Sequence, residues 1–169
     1  LYAEEKLKSL VDENFHVTIL RIPMVYGSGN RGNINKMIAF MDKYHIAPFL
    51  NIHNERNILY VKNLVDFVDQ VILQDKQGVF LVTDPKSVST TEIANSISTH
   101  IDKRLVHFSI PGFLRLILKL LRPFIYYKIF GDLHLDSTKA YKEVDFHPRY
   151  SFEQGMKEMM EWYKNNKNK

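Results

Sequence analysis

Apolar positions along this chain follow two spacings. Within residues 2–13, Leu7, Leu10 and Val11 fall on one side of a helix. Residues 33–44 carry Ile34, Met37, Ile38 and Met41 at helical spacing, and residues 62–74 carry Leu64, Val65, Val68, Val71 and Ile72. Between the helices lie short β-rich runs. Residues 17–22, closed by Pro23, and residues 78–82 predict parallel strands buried on both faces, with shorter strands at 57–60 and 105–108. Residues 27–32 read as a loop. Ser89-Thr90-Thr91-Glu92 is a capping box, in which the serine accepts a backbone N–H and the glutamate reaches back. It opens a helix carrying Ile93, Ile97 and Ile101. Ser151 with Gln154 repeats the device before a terminal helix ending near Tyr163. Alternating strands and helices predict an α/β fold. Only two or three strands look long, too few for a complete doubly wound sheet, so the pattern reads as half a sheet with appended helices.

Composition narrows the class. The 169 residues suit one domain, and 45% apolar with 25% charged residues excludes disorder. There is no cysteine, which excludes disulfides, thiolate nucleophiles and Cys-based zinc sites and points to a reducing cytoplasm. The net charge of +4, part of it in Lys164, Lys167 and Lys169, suits an anionic small molecule such as a nucleotide diphosphate. No basic stripe with interleaved aromatics suggests nucleic acid. The seven histidines show no metal-ligand spacing, so no metal site is expected. No run reaches the ~18 apolar residues of a membrane span. Glu4, Glu5, Lys6 and Lys8 interrupt the start and exclude a signal peptide there. The chain opens without Met, directly into a helical pattern, and the expectation is a fragment.

Four motifs carry candidate chemistry. In Tyr2-Ala3-Glu4-Glu5-Lys6 the phenol and the ammonium share a helix face one turn apart. A nearby cation favours the phenolate, which lets a tyrosine exchange protons near neutral pH. Standing alone, such a pair is commonly just solvated. Gly27-Ser28-Gly29-Asn30-Arg31-Gly32 matches a dinucleotide-binding spacing, but residues 23–26 separate it from the predicted strand and no acidic residue closes a strand ~20 residues on. It reads as a loop beside a ligand. Arg56 has the planar fork that pairs with phosphate oxygens, although a lone arginine before a strand is usually a surface charge. In residues 113–122, Arg115, Lys119 and Arg122 share one face of an apolar helix. Such a helix can lie on an anionic membrane surface or pack its apolar face against the protein.

The order Tyr2-x-x-x-Lys6, Arg21-Ile22-Pro23-Met24-Val25-Tyr26-Gly27, Arg56-Asn57-Ile58-Leu59-Tyr60-Val61, Phe130-Gly131-Asp132 and Asp136-Ser137-Thr138-Lys139 resembles the extended short-chain dehydrogenase/reductases of the NAD-dependent epimerase/dehydratase family. The likeness runs from Tyr2 to Tyr163. It is closest to UDP-sugar 4-epimerases and to nucleotide-4-keto-6-deoxy-sugar reductases of surface-polysaccharide pathways. The resemblance implies the C-terminal part of a Rossmann-type enzyme whose N-terminal dinucleotide-binding half is absent. Residues 1–31 and 57–85 would complete the Rossmann sheet, and 32–56 with 86–169 would form the substrate-binding subdomain. It implies Tyr2 and Lys6 as the catalytic pair and, with Pro23 and Met24, as contacts to NAD or NADP. It implies Asn33, Ile34, Phe49, Arg56 and Asp132 as contacts to a nucleotide-diphosphate sugar. Two positions depart from the pattern. Met24 stands where many relatives carry Asn, and Ile129 where several carry Arg. The implied assembly is a homo-oligomer that uses the helix at 2–13, and the isolated fragment is expected to be inactive and to bind NAD weakly.

Overall fold

The computed structural model describes residues 2–167; Leu1 and the tail residue Lys169 lie outside that range. The first helix, α1 (Tyr2–Lys8), is shorter than the apolar spacing predicts. Ser9 turns its hydroxyl back to the Lys6 carbonyl, and the Asp12 carboxylate accepts the backbone N–H groups of Asn14 and Phe15. These local bonds compete with helix and end it. Leu7, Leu10 and Val11, the expected packing face, are exposed. Glu4 docks the helix instead, through paired bonds of 2.6 and 3.1 Å from Arg21.

The run 17–26 forms two strands, β1 (Thr18–Arg21) and β2 (Met24–Tyr26), broken at Pro23, which has no N–H to give a ladder. After α2 (Asn33–Tyr44) come β3 (Ile46–Ala47), β4 (Ile58–Tyr60), α3 (Val61–Leu73) and β5 (Gly78–Leu81). Then follow α4 (Thr90–His100), β6 (Val106–His107), α5 (Gly112–Leu121), α6 (Pro123–Phe130), α7 (Thr138–Val144) and α8 (Phe152–Asn166). All three strand pairs are parallel: β1 with β5, β2 with β4, and β3 with β6. The class is α/β, as the alternation implies. The expectation that residues 17–22 and 78–82 are buried on both faces is corrected. Thr18 to Leu20 are only half-buried, and Gly78 and Val79 are exposed. Each of these strands has one ladder partner among the described residues, so its other edge stays open.

Strand β4 divides the core by simple alternation. Ile58 and Tyr60 face a cluster built with Ile34, Ile38 and Met41 of α2, Ile93 and Ile97 of α4, and Met156, Met159 and Met160 of α8. Leu59 faces the other way, toward Phe67 and Val71 of α3, Phe80 of β5, and Ala140 and Val144 of α7. Buried polar groups tie the layers together. The Asp84 carboxylate accepts the Tyr60 backbone N–H at 2.9 Å and Asn63 Nδ2 at 2.8 Å. Both expected capping boxes form, at Ser89–Glu92 and at Ser151–Gln154.

Candidate functional site

A cavity of about 290 Å³ opens between the start of α2, the loop before β4, the first turn of α4 and the end of α6. It contains five residues singled out from the sequence: Met24, Asn33, Ile34, Phe49 and Arg56. It adds Lys36, Met37, Thr90, Ile93, Ile125, Lys128 and Ile129, which sequence reasoning missed. Seven of these twelve side chains are apolar, three are cationic and none is acidic. An apolar floor with a cationic rim suits a ligand with a flat ring at one end and negative charge at the other.

The backbone at Arg56 is fixed by strand-like bonds on two sides. Its amide and carbonyl exchange hydrogen bonds with Val88 at 3.0 and 2.9 Å, and the amide of Asn57 donates to Leu133 at 2.9 Å. The guanidinium donates through Nη1 to the carbonyls of Tyr127, at 3.4 Å, and Lys128, at the C-terminal end of α6. Three of its five N–H groups remain without a protein partner among the described residues, which leaves them for an anion. Burial pushes the guanidinium below its ordinary value, and the Asp132 carboxylate opposes that shift.

Gly32 is the N-cap of α2, and no side chain caps the helix. The first amides of an uncapped helix attract negative charge, and Asn33 and Ile34 stand there at the cavity. Phe49 is half-buried, its ring 6.5 Å from that of Phe40. Its carbonyl accepts the Thr91 hydroxyl at 2.6 Å, and the same hydroxyl accepts the Ile52 amide at 2.9 Å. The first turn of α4 therefore shapes the Phe49 loop.

The other sequence candidates lie outside this lining. Tyr2 and Lys6 share a face of α1, with Lys6 Nζ 5.0 Å from the centre of the Tyr2 ring. Tyr2 is 71% exposed. Pro23 is half-buried between β1 and β2. Asp132 is exposed, and its carboxylate accepts the Glu55 amide at 2.9 Å. The structure thus assembles the Asn33–Ile34–Phe49–Arg56 group and leaves Asp132 bonded to the chain beside it.

The glycine loop corrects one expectation. Residues 24–26 do not separate Gly27 from a strand; they are strand β2, and Gly27 follows it directly. The loop is nonetheless closed in on itself. Asn30 donates to the Val25 carbonyl and accepts the Gly32 amide. Gly27 has φ +141°, and a Cβ there would meet Val61 Cγ1 at 2.5 Å. Gly27 thus lets the end of β2 approach the start of α3.

No protein-family model matches the chain. A UDP-glucose 4-epimerase of Vibrio cholerae is 29% identical over 162 residues, which cover 92% of this chain and 49% of that protein. This chain shares the sequence pattern and the fold of the NAD-dependent epimerase/dehydratase family. The Bordetella bronchiseptica enzyme WbmG, solved in complex with NAD and UDP, superposes on this epimerase/dehydratase fold with a TM-score of 0.67 at 17% identity, over 90% of this chain and 46% of its own. The epimerase Mth375 of Methanothermobacter thermautotrophicus superposes at 0.70 and 14% identity, over 99% and 48%. The chain spans about half the length of these relatives.

Proposed function

We propose that this chain is the C-terminal, substrate-binding portion of an NAD-dependent nucleotide-sugar epimerase of the UDP-sugar 4-epimerase type. The observation that carries the reading is the cavity, where Arg56, Lys128 and Lys36 surround the uncapped start of α2 beside Phe49. A nucleoside base fits the apolar floor, and a diphosphate fits the cations and the helix amides. Phe49 supplies an aromatic face for the base. The sugar would extend toward Met24, a side chain without a strong donor.

The exposed phenol and ammonium of Tyr2 and Lys6 fit the ribose and nicotinamide end of a dinucleotide. The self-bonded glycine loop does not fit its diphosphate, so that binding falls to chain beyond these residues. Bound NAD would accept and return a hydride. Tyr2 would take and return the proton of the sugar hydroxyl, and Lys6, one turn along the same face, would contact the nicotinamide ribose. The chain alone holds the substrate and does not turn it over. A reductase acting on a 4-keto-6-deoxy sugar would use the same groups in one direction, and for either reaction we propose a role in making surface-polysaccharide precursors in the cytoplasm.

Titration of UDP into the folded chain by calorimetry tests the proposal. Binding that weakens at least about tenfold in Arg56→Ala supports it, since charge-assisted bonds are worth about 1.5–3 kcal/mol. Absence of UDP binding by a folded chain would remove it.

A further inference from the structure

Helices α5 and α6 pack against each other as a hairpin, and no residue in either is buried. Arg115 and Lys119 of α5 lie over aromatic rings of α6. Arg115 donates through Nε to the Ile110 carbonyl at 2.8 Å and lies 5.1 Å from the centre of the Phe130 ring. Lys119 lies 5.6 Å from the Tyr126 ring. The apolar side faces outward: Phe113, Leu116, Leu120, Leu121 and Phe124 are 58–73% exposed. This reverses the usual arrangement of a surface helix, whose apolar stripe faces the core.

Charge indicates what this face meets. Residues 103–131 contain six Lys and Arg and no Asp or Glu. Lys103 pairs with Asp42, while Arg104, Arg115, Lys119, Arg122 and Lys128 form no ion pair among the described residues. A second copy docked face to face would set cations against cations with no carboxylate between them, an arrangement that costs affinity. An apolar surface rimmed by unpaired cations complements the anionic headgroups and acyl boundary of a bilayer.

We propose that the α5–α6 hairpin is a peripheral docking surface for an anionic lipid bilayer. The ten-residue α5 is about 15 Å long. It lies in the membrane plane with its leucines in the acyl boundary, and the Lys and Arg stems reach back to the phosphates. None of the described helices is long and apolar enough to cross a membrane, so contact stays at one leaflet. Ile125, Lys128 and Ile129 of α6 line the cavity, and docking therefore holds that cavity at the lipid surface.

Co-sedimentation of the whole chain with vesicles tests this, using phosphatidylcholine alone and an equal mixture with phosphatidylglycerol. The expected result is capture by the mixed vesicles, release by salt and little binding to phosphatidylcholine alone. Arg122→Glu and Leu120→Ser change exposed side chains and should each lower capture about fivefold or more, with unaltered circular dichroism. Failure of the mixed vesicles to capture the folded chain overturns the proposal. So does capture that is indifferent to lipid charge and salt, or a solution dimer that Leu120→Ser dissociates while lipid binding is absent.

Discussion

Asn54 accepts the Thr90 amide at 2.9 Å, and the two residues together hold the end of α6. Asn54 Nδ2 donates to the carbonyls of Ile129, at 3.3 Å, and Gly131, at 3.0 Å, while the Thr90 hydroxyl donates to Ile129 at 2.7 Å. Asn54 is buried, and it joins the loop before β4, the start of α4 and the α6 wall of the cavity. Asn54→Ala leaves buried backbone groups unpaired and should destabilise the chain by about 2 kcal/mol or more, read from urea unfolding. A loss under half that would mean that neighbouring groups take up the bonds.

Arg56 divides its donors between α6 and the cavity, so its two roles can be separated. Arg56→Lys keeps the charge but cannot reproduce the fork. Calorimetry should show UDP affinity falling about tenfold, and urea unfolding a loss near 1 kcal/mol from the bonds to α6. Unchanged UDP affinity in this variant would detach Arg56 from the ligand.

In the complete enzyme, Tyr2→Phe should lower kcat by about 10²–10⁴-fold while UDP binding to the cavity stays intact, because general acid–base catalysis is worth about that much. Near-normal turnover would exclude Tyr2 as the proton carrier.

Two glycines in one loop make a contrast. Gly27→Ala faces both a left-handed φ and a Cβ position 2.5 Å from Val61 Cγ1, whereas Gly29 has φ +80° and open space. The expected losses are about 1 kcal/mol at Gly29 for the backbone alone and clearly more at Gly27, measured by chemical denaturation. Equal losses would show that the contact with Val61 yields without cost.

Asp42 gives a pH dependence. Burial raises its carboxyl, but the bonds from Lys103 and Lys167, each 3.2 Å away, outweigh it and leave the group below its ordinary 3.8. A carboxyl lowered in the folded state stabilises it above the unfolded value, and that gain fades as pH falls from 3.8 through the lowered folded value. Asp42→Asn should therefore lower Tm near neutrality, and the gap to the parent should close in acid. A gap independent of pH would assign the loss to packing.

The candidates that line the cavity were legible through the family resemblance, which singled out Met24, Asn33, Ile34, Phe49 and Arg56, and both capping boxes through the local spacing of Ser89–Glu92 and Ser151–Gln154. Asn54 and Thr90 were not. One sat unmarked in a polar stretch and the other inside a cap, and their bonds reach 36 to 77 residues along the chain. Lys36 and Lys128 gave no signal either, since a surface lysine looks the same whether or not a cavity opens beside it. Residues 24–26 and 46–47 were too short for a strand pattern, and each forms one because a parallel partner lies alongside.

The sequence alone determined the α/β class, the buried faces of α2 and α4 and both capping boxes, because spacing and side-chain chemistry are local properties, and the family resemblance named the candidate groups. Only the tertiary structure decided which of those groups meet. It brought Arg56 to Asn33 and Phe49, left Tyr2 exposed on a short α1, and tied the Asp132 carboxylate to the distant Glu55 amide. It also decided the outward face of α5. The sequence shows that Arg115, Lys119 and the leucines lie on different sides of a helix, but the choice of the side that meets water belongs to packing. Here the rings of α6 take the cations, and the leucines face out.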